Sequence, residues 1–146
     1  MRRQLNYWLP PIVWAAMILA ASSDIFSASH TGGWIETVIA WLGRSLSPAA
    51  LDLLNQILRK LGHVTAYGIL SALSFRALRG ERPRWNPRWA IGAIVLTALL
   101  ASIDEFHQSF IPSRTGTWHD VVLDTTAAIL VQITIRAAQV LLFRPT

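Results

Sequence analysis

Apolar residues are distributed along this chain in four long runs, three of which take in charged residues toward their ends. The first is Leu9 to Ala21, close to the roughly 20 residues a membrane-spanning helix needs once Tyr7, Trp8 and Ser22 are added. The second runs from Leu61 to Leu78, the third from Trp89 to Ile111 and the fourth from His119 to Phe143. Between the first two, residues 23–59 are mixed. Trp34, Val38, Trp41 and Leu42 recur at helical spacing, and so do Leu51, Leu54, Leu58 and Leu61. Polar residues fill the other faces, so two short amphipathic helices lying at a membrane interface are expected there. Pro48 after Ser47 marks the start of the second. Pro10 and Pro11 are expected in the first turn of the first helix, where a missing N–H costs little. An arginine-rich loop with two prolines (residues 79–88) joins the second and third runs, and a turn rich in Ser, Thr and Gly (112–118) joins the third and fourth. The expected fold is all-α: one domain over residues 1–146, a polytopic membrane bundle. Its four spans are 7–23, 61–78, 89–111 and 119–143, with short interfacial helices in the first outer loop.

Composition agrees with lipid as the solvent. The chain is 53% hydrophobic and only 14% charged, against about 25% charged in soluble domains. There are no cysteines, which excludes disulfides, thiolate metal sites and a thiol nucleophile. The net charge of +5 does not point to nucleic acid, because the arginines sit beside apolar runs. With four spans, Arg2, Arg3, Arg76, Arg79, Arg82, Arg84, Arg88, Arg136 and Arg144 share one side, against Arg44, Arg59, Lys60 and Arg114 on the other. The positive-inside rule then puts both termini in the cytoplasm. Trp8, Trp85 and Trp89 form an inner belt and Trp34, Trp41 and Trp118 an outer one, while Trp14, mid-span, packs between helices.

That topology gathers the remaining polar residues at one depth. Lys60 and His63 begin the second span, Asp104 to Gln108 end the third, and Asp120 and Asp124 begin the fourth, all toward the outer leaflet. Lys60, His63 and Tyr67 follow one another at i, i+3 and i+7; Asp120 and Asp124 are i, i+4. Asp104, His107 and Gln108 are expected to share a face, with Glu105 turned by about 100°. Acids in apolar helices are expensive and mark a site by default.

These residues resemble the VanZ-like family. The resemblance rests on Lys60-Leu-Gly-His63 with Tyr67 and Leu70, on the run Asp104-Glu105-Phe-His107-Gln108-Ser-Phe110-Ile-Pro112-Ser-Arg114, and on Asp120-Val opening the last span. It covers about residues 5 to 140. Where the family often has Asn and then Gly after the acid of the last span, this chain has Asp124 and Ala127-Ala128. The resemblance implies a small bacterial protein of the cytoplasmic membrane. The family's founding member is associated with low-level teicoplanin resistance. No settled reaction or ligand comes with it.

Three readings of the polar set stay open. It is an ion-pair and hydrogen-bond knot that locks the bundle or holds a partner, with Lys60 and Arg114 as counter-charges. Or it is a divalent-metal site built from His63, Asp104, His107 and Asp120; no HExxH-type motif accompanies it and Lys60 would repel a cation, so this is the less favoured reading. Or it is a cleft for an anionic head group of a membrane lipid or lipid-linked precursor. There Asp104, His107 and His63 are the candidate catalytic residues, with proton transfer by a histidine beside an acid. Lys60, Tyr67, Glu105, Gln108, Arg114, Asp120 and Asp124 are the candidate binding residues, the cations clamping phosphate. The order Ser113-Arg114…His119…Asp124 is similar to a motif of membrane lipid phosphatases, but its spacing departs by one residue twice and the companion PSGH motif is missing.

Overall fold

The computed structural model describes residues 2–22, 28–83, 85–111 and 116–142. Five helices and no strands are found among them: α1 (Arg2–Ala21), α2 (Ala28–Trp41), α3 (Pro48–Arg79), α4 (Pro87–Gln108) and α5 (Trp118–Leu142). At about 1.5 Å per residue, α4 and α5 are about 33 and 38 Å long, enough to cross a bilayer core of about 30 Å. Among the described residues these two are also the helices apolar enough to cross. The other expected spans differ for readable reasons. Pro10 and Pro11 dilute the apolar content of α1. The first half of α3 carries Asp52, Asn55, Gln56, Arg59 and Lys60.

Two local expectations are corrected. Pro10 and Pro11 lie inside α1, not in its first turn, because the helix already begins at Arg2. Their missing N–H groups leave the carbonyls of Asn6 and Tyr7 without i→i−4 donors. The expected second interfacial helix and the second span are one 32-residue helix, α3. No proline separates them, and Gly62 alone does not stop a helix. Ser47 and Pro48 start α3 as expected: the Ser47 side chain accepts from the Ala50 N–H, with proline in the first turn. Gly80 ends it at a φ of 58°, its N–H donating to the Arg76 carbonyl.

α3 packs against all four other helices, and α4 also packs against α5. Small residues let the backbones approach. Ala93, Ala101 and Ala128 are fully buried, and a Cβ on Gly68 would stand 3.3 Å from Val131 Cγ2 on α5. One core layer joins Ile18, Tyr67, Leu70 and Ala101, flanked by Trp14, whose indole N–H donates to the Ala66 carbonyl at 2.9 Å. A second joins Phe75, Ala90 and Ala93 with Trp85 and Trp89 around it. Between the two, Gln132 Nε2 donates to Ser71 Oγ at 2.8 Å, tying α5 to α3.

The two ends of the bundle differ. At one, arginines lie over aromatic rings: Arg76 over Tyr7, Arg82 over Trp89 and Arg136 over Trp85, at 5.0–5.6 Å. Toward the other end the core is closed by acids and their partners. The outer faces of α1, α4 and α5 are covered with exposed Leu, Ile and Val.

Candidate functional site

Helix periodicity decides which polar groups enter the bundle. The buried stripe of α4 runs through Ala90, Ala93, Thr97, Ala101, Asp104, Glu105 and Gln108. Its centre falls between Asp104 and Glu105. At about 100° per residue, Glu105 is therefore inside and His107 is on the flank. His107 is exposed, whereas Asp104 is fully enclosed and Glu105 is buried. The expectation from sequence, with His107 inside and Glu105 turned away, is thus reversed for Glu105 and His107. Of the candidate residues on α3, Tyr67 is buried, His63 is half-buried and Lys60 is exposed. On α5 Asp124 is fully enclosed, while Asp120 is half-buried and its backbone N–H donates to the Thr117 carbonyl. Arg114 lies outside the described residues.

Two connected groups result. In the first, Asp104 Oδ2 accepts three hydrogen bonds, from Tyr67 Oη at 2.8 Å, Ser22 Oγ at 2.9 Å and Gln108 Nε2 at 3.0 Å. Gln108 Nε2 also reaches Ser22 Oγ at 3.4 Å. α1, α3 and α4 thus meet at one carboxylate oxygen. In the second, His63 Nδ1 pairs with Asp124 Oδ2 at 3.1 Å, joining α3 to α5. The His63 and Tyr67 rings stack at 5.9 Å, which links the two groups through one face of α3. Glu105 Oε2 accepts the Thr117 N–H at 2.8 Å, holding the start of α5 to the end of α4.

A cavity of about 260 Å³ opens beside this network. Ile18, Ala21 and Ala66 give it an apolar wall; Ser22, Arg59, His63, Tyr67 and Asp104 give it a polar one. Arg59 lines this cavity, and its Nε is buried without a hydrogen-bond partner.

Of the residues singled out from the sequence, His63, Tyr67, Asp104, Glu105, Gln108 and Asp124 are brought together. His107 and Lys60 point away, and Asp120 stands at the edge. The four-residue metal set is not assembled as expected. His63, Glu105 and Asp124 are instead the residues that each bring one donor atom within 4.8 Å of the others. Three participants went unseen. Arg59 had a signal, since Arg59, His63 and Tyr67 repeat at i, i+4 and i+8. Ser22 had none beyond ending an apolar run, and the Thr117 contact is made by backbone.

The family model described as VanZ/LLP1 matches residues 7–141, nearly the whole chain. No curated protein and no solved structure matches.

Proposed function

Because the chain belongs to the VanZ/LLP1 family, we propose that it is a four-span protein of the bacterial cytoplasmic membrane with both termini inside, and that its outer-leaflet cavity binds the phosphate-bearing head group of an envelope lipid or lipid-linked precursor. Binding or modifying that component is how it would contribute to glycopeptide tolerance. The observation that carries this reading is Arg59. It lines a cavity with one apolar and one polar wall, and its Nε is a buried donor without a partner. A guanidinium in that setting suits a planar, bidentate grip on phosphate. The apolar wall suits the first carbons of a lipid chain. Asp104 and His63 face what remains of the head group, its hydroxyls or amine.

The alternative is a scaffold, in which the polar network only holds the helices. The three bonds to Asp104 Oδ2 favour it. The unpartnered Arg59 Nε does not, since a locking network satisfies its own donors.

The test is lipid retention by the purified protein, read by native mass spectrometry. Phosphatidylglycerol and a polyprenyl phosphate are compared with diacylglycerol. The wild type should retain the phosphate-bearing lipids, Arg59→Gln should lower retention about tenfold, which corresponds to about 1.4 kcal/mol, and Arg44→Gln should leave it unchanged. Equal retention of diacylglycerol, or no effect of Arg59→Gln, would rule the reading out.

A further inference from the structure

We infer that His63, Glu105 and Asp124 form a site for one divalent transition ion of the Zn²⁺ or Mn²⁺ class. The three residues come from α3, α4 and α5, and each offers one donor atom within 4.8 Å of the other two. Three donors sharing one ion at about 2.0–2.2 Å stand about 3.3–3.8 Å apart. The cluster therefore has to close by about 1–1.5 Å around an ion.

Unused donor atoms point to the ligand independently. Asp124 is 0% and Glu105 5% exposed, and each keeps one buried carboxylate oxygen, Oδ1 and Oε1, without a hydrogen-bond partner. A buried acceptor left without a donor is costly, and more so when charged. The His63–Asp124 bond and the Thr117–Glu105 bond use only the other oxygen of each carboxylate. A hydrogen-bonded knot has no use for the two that remain, whereas an ion takes both.

Charge leads the same way. Asp104, Glu105 and Asp124 are buried at the same end of the bundle, and among the described residues the ion pair at these carboxylates is His63–Asp124. Lys60, expected to repel a cation, is turned outward. One imidazole with two carboxylates is a borderline donor set. Mg²⁺ and Ca²⁺ favour all-oxygen sites, and Zn²⁺ and Mn²⁺ accept the mixture. The surroundings hold the donors in place: the Thr117 N–H fixes one oxygen of Glu105, and the Tyr67 ring backs His63. His63 also lines the cavity, so an ion there would give a bound phosphate a second positive partner besides Arg59. The ion site itself rests on these side chains and not on the lipid reading.

The full chain, purified in detergent and stripped with a chelator, is dialysed against Zn²⁺ or Mn²⁺ and analysed for metal. One equivalent should bind in the presence of excess Mg²⁺. Glu105→Gln and Asp124→Asn should each weaken binding at least tenfold, and exposed His119→Gln should not. A wild type with no saturable binding, or acid variants that bind as it does, would overturn the assignment. A measurement on the wild type alone guards against variants that do not fold. Titration with Co²⁺ should give visible d–d absorption that saturates at one equivalent and disappears on adding Zn²⁺. A spectrum no different from that of aqueous Co²⁺ would overturn the assignment equally.

Discussion

Tyr67 on α3 donates its hydroxyl to Asp104 Oδ2 on α4 at 2.8 Å, and both side chains are almost wholly enclosed. The same oxygen takes Ser22 and Gln108, so it bears on three helices at once. Removing one donor leaves two in place. Tyr67→Phe should therefore lower stability by about 0.6–1.7 kcal/mol, the range for single hydrogen bonds between membrane helices. Asp104→Ala strands all three donors and should lower it by more than twice as much. Denaturant or thermal unfolding in detergent checks the order; equal losses would show that Asp104 is not the junction.

Topology has its own test. Arg82 and His119 are both exposed, and the chain has no native cysteine to confuse labelling. In intact cells Arg82→Cys should resist a membrane-impermeant maleimide, and His119→Cys should react with it. Labelling of both from the same side would end the four-span arrangement.

The turn before α5 is set by one small residue. A Cβ on Gly116 would overlap the Glu105 carbonyl oxygen and stand 2.9 Å from the Ser109 nitrogen, both backbone atoms that cannot swing away. Gly116→Ala should push the turn off α4, loosen the Thr117–Glu105 bond and cost about 1–3 kcal/mol. Gly33→Ala is the comparison: nothing lies within 4 Å of its Cβ, in helix α2, so it should be neutral or slightly stabilising. The two melting temperatures decide it, and similar values would show that the turn is not pinned at Gly116.

Much of this was legible in the sequence because apolar runs and turn residues act locally. Pro48 behind Ser47 started α3, and the residues from Pro112 separated α4 from α5. Run lengths and helical spacing anticipated that His63, Tyr67, Asp104 and Asp124 would meet, but also drew in Lys60, His107 and Asp120, which stand outside or at the edge. What failed depends on rotation about a helix axis. Asp104 lies on the inward face of α4 as expected, but the stripe centre lies toward Glu105, and a rotation of about 50° exchanges Glu105 for His107. Arg59 and Lys60 were confused for the same reason: adjacent residues face different ways, and the choice is made by packing against α1 and α4. Ser22 and the Thr117 N–H belong to no side-chain pattern and needed three dimensions.

Asp104→Asn separates a working site from a locking one most directly. Asn keeps an oxygen to accept from Ser22, Tyr67 and Gln108, and the atom it replaces with NH₂, Oδ1, has no hydrogen-bond partner to lose. What it removes is the charge. The measurement is paired: the melting temperature of the purified variant, and the teicoplanin sensitivity of cells carrying it, beside Tyr67→Phe and Arg59→Gln. The expected result is a near-normal melting temperature for Asp104→Asn with loss of tolerance, and loss of tolerance in Arg59→Gln as well. Sensitivity that merely follows melting temperature across the three variants would contradict a functional centre and leave a scaffold.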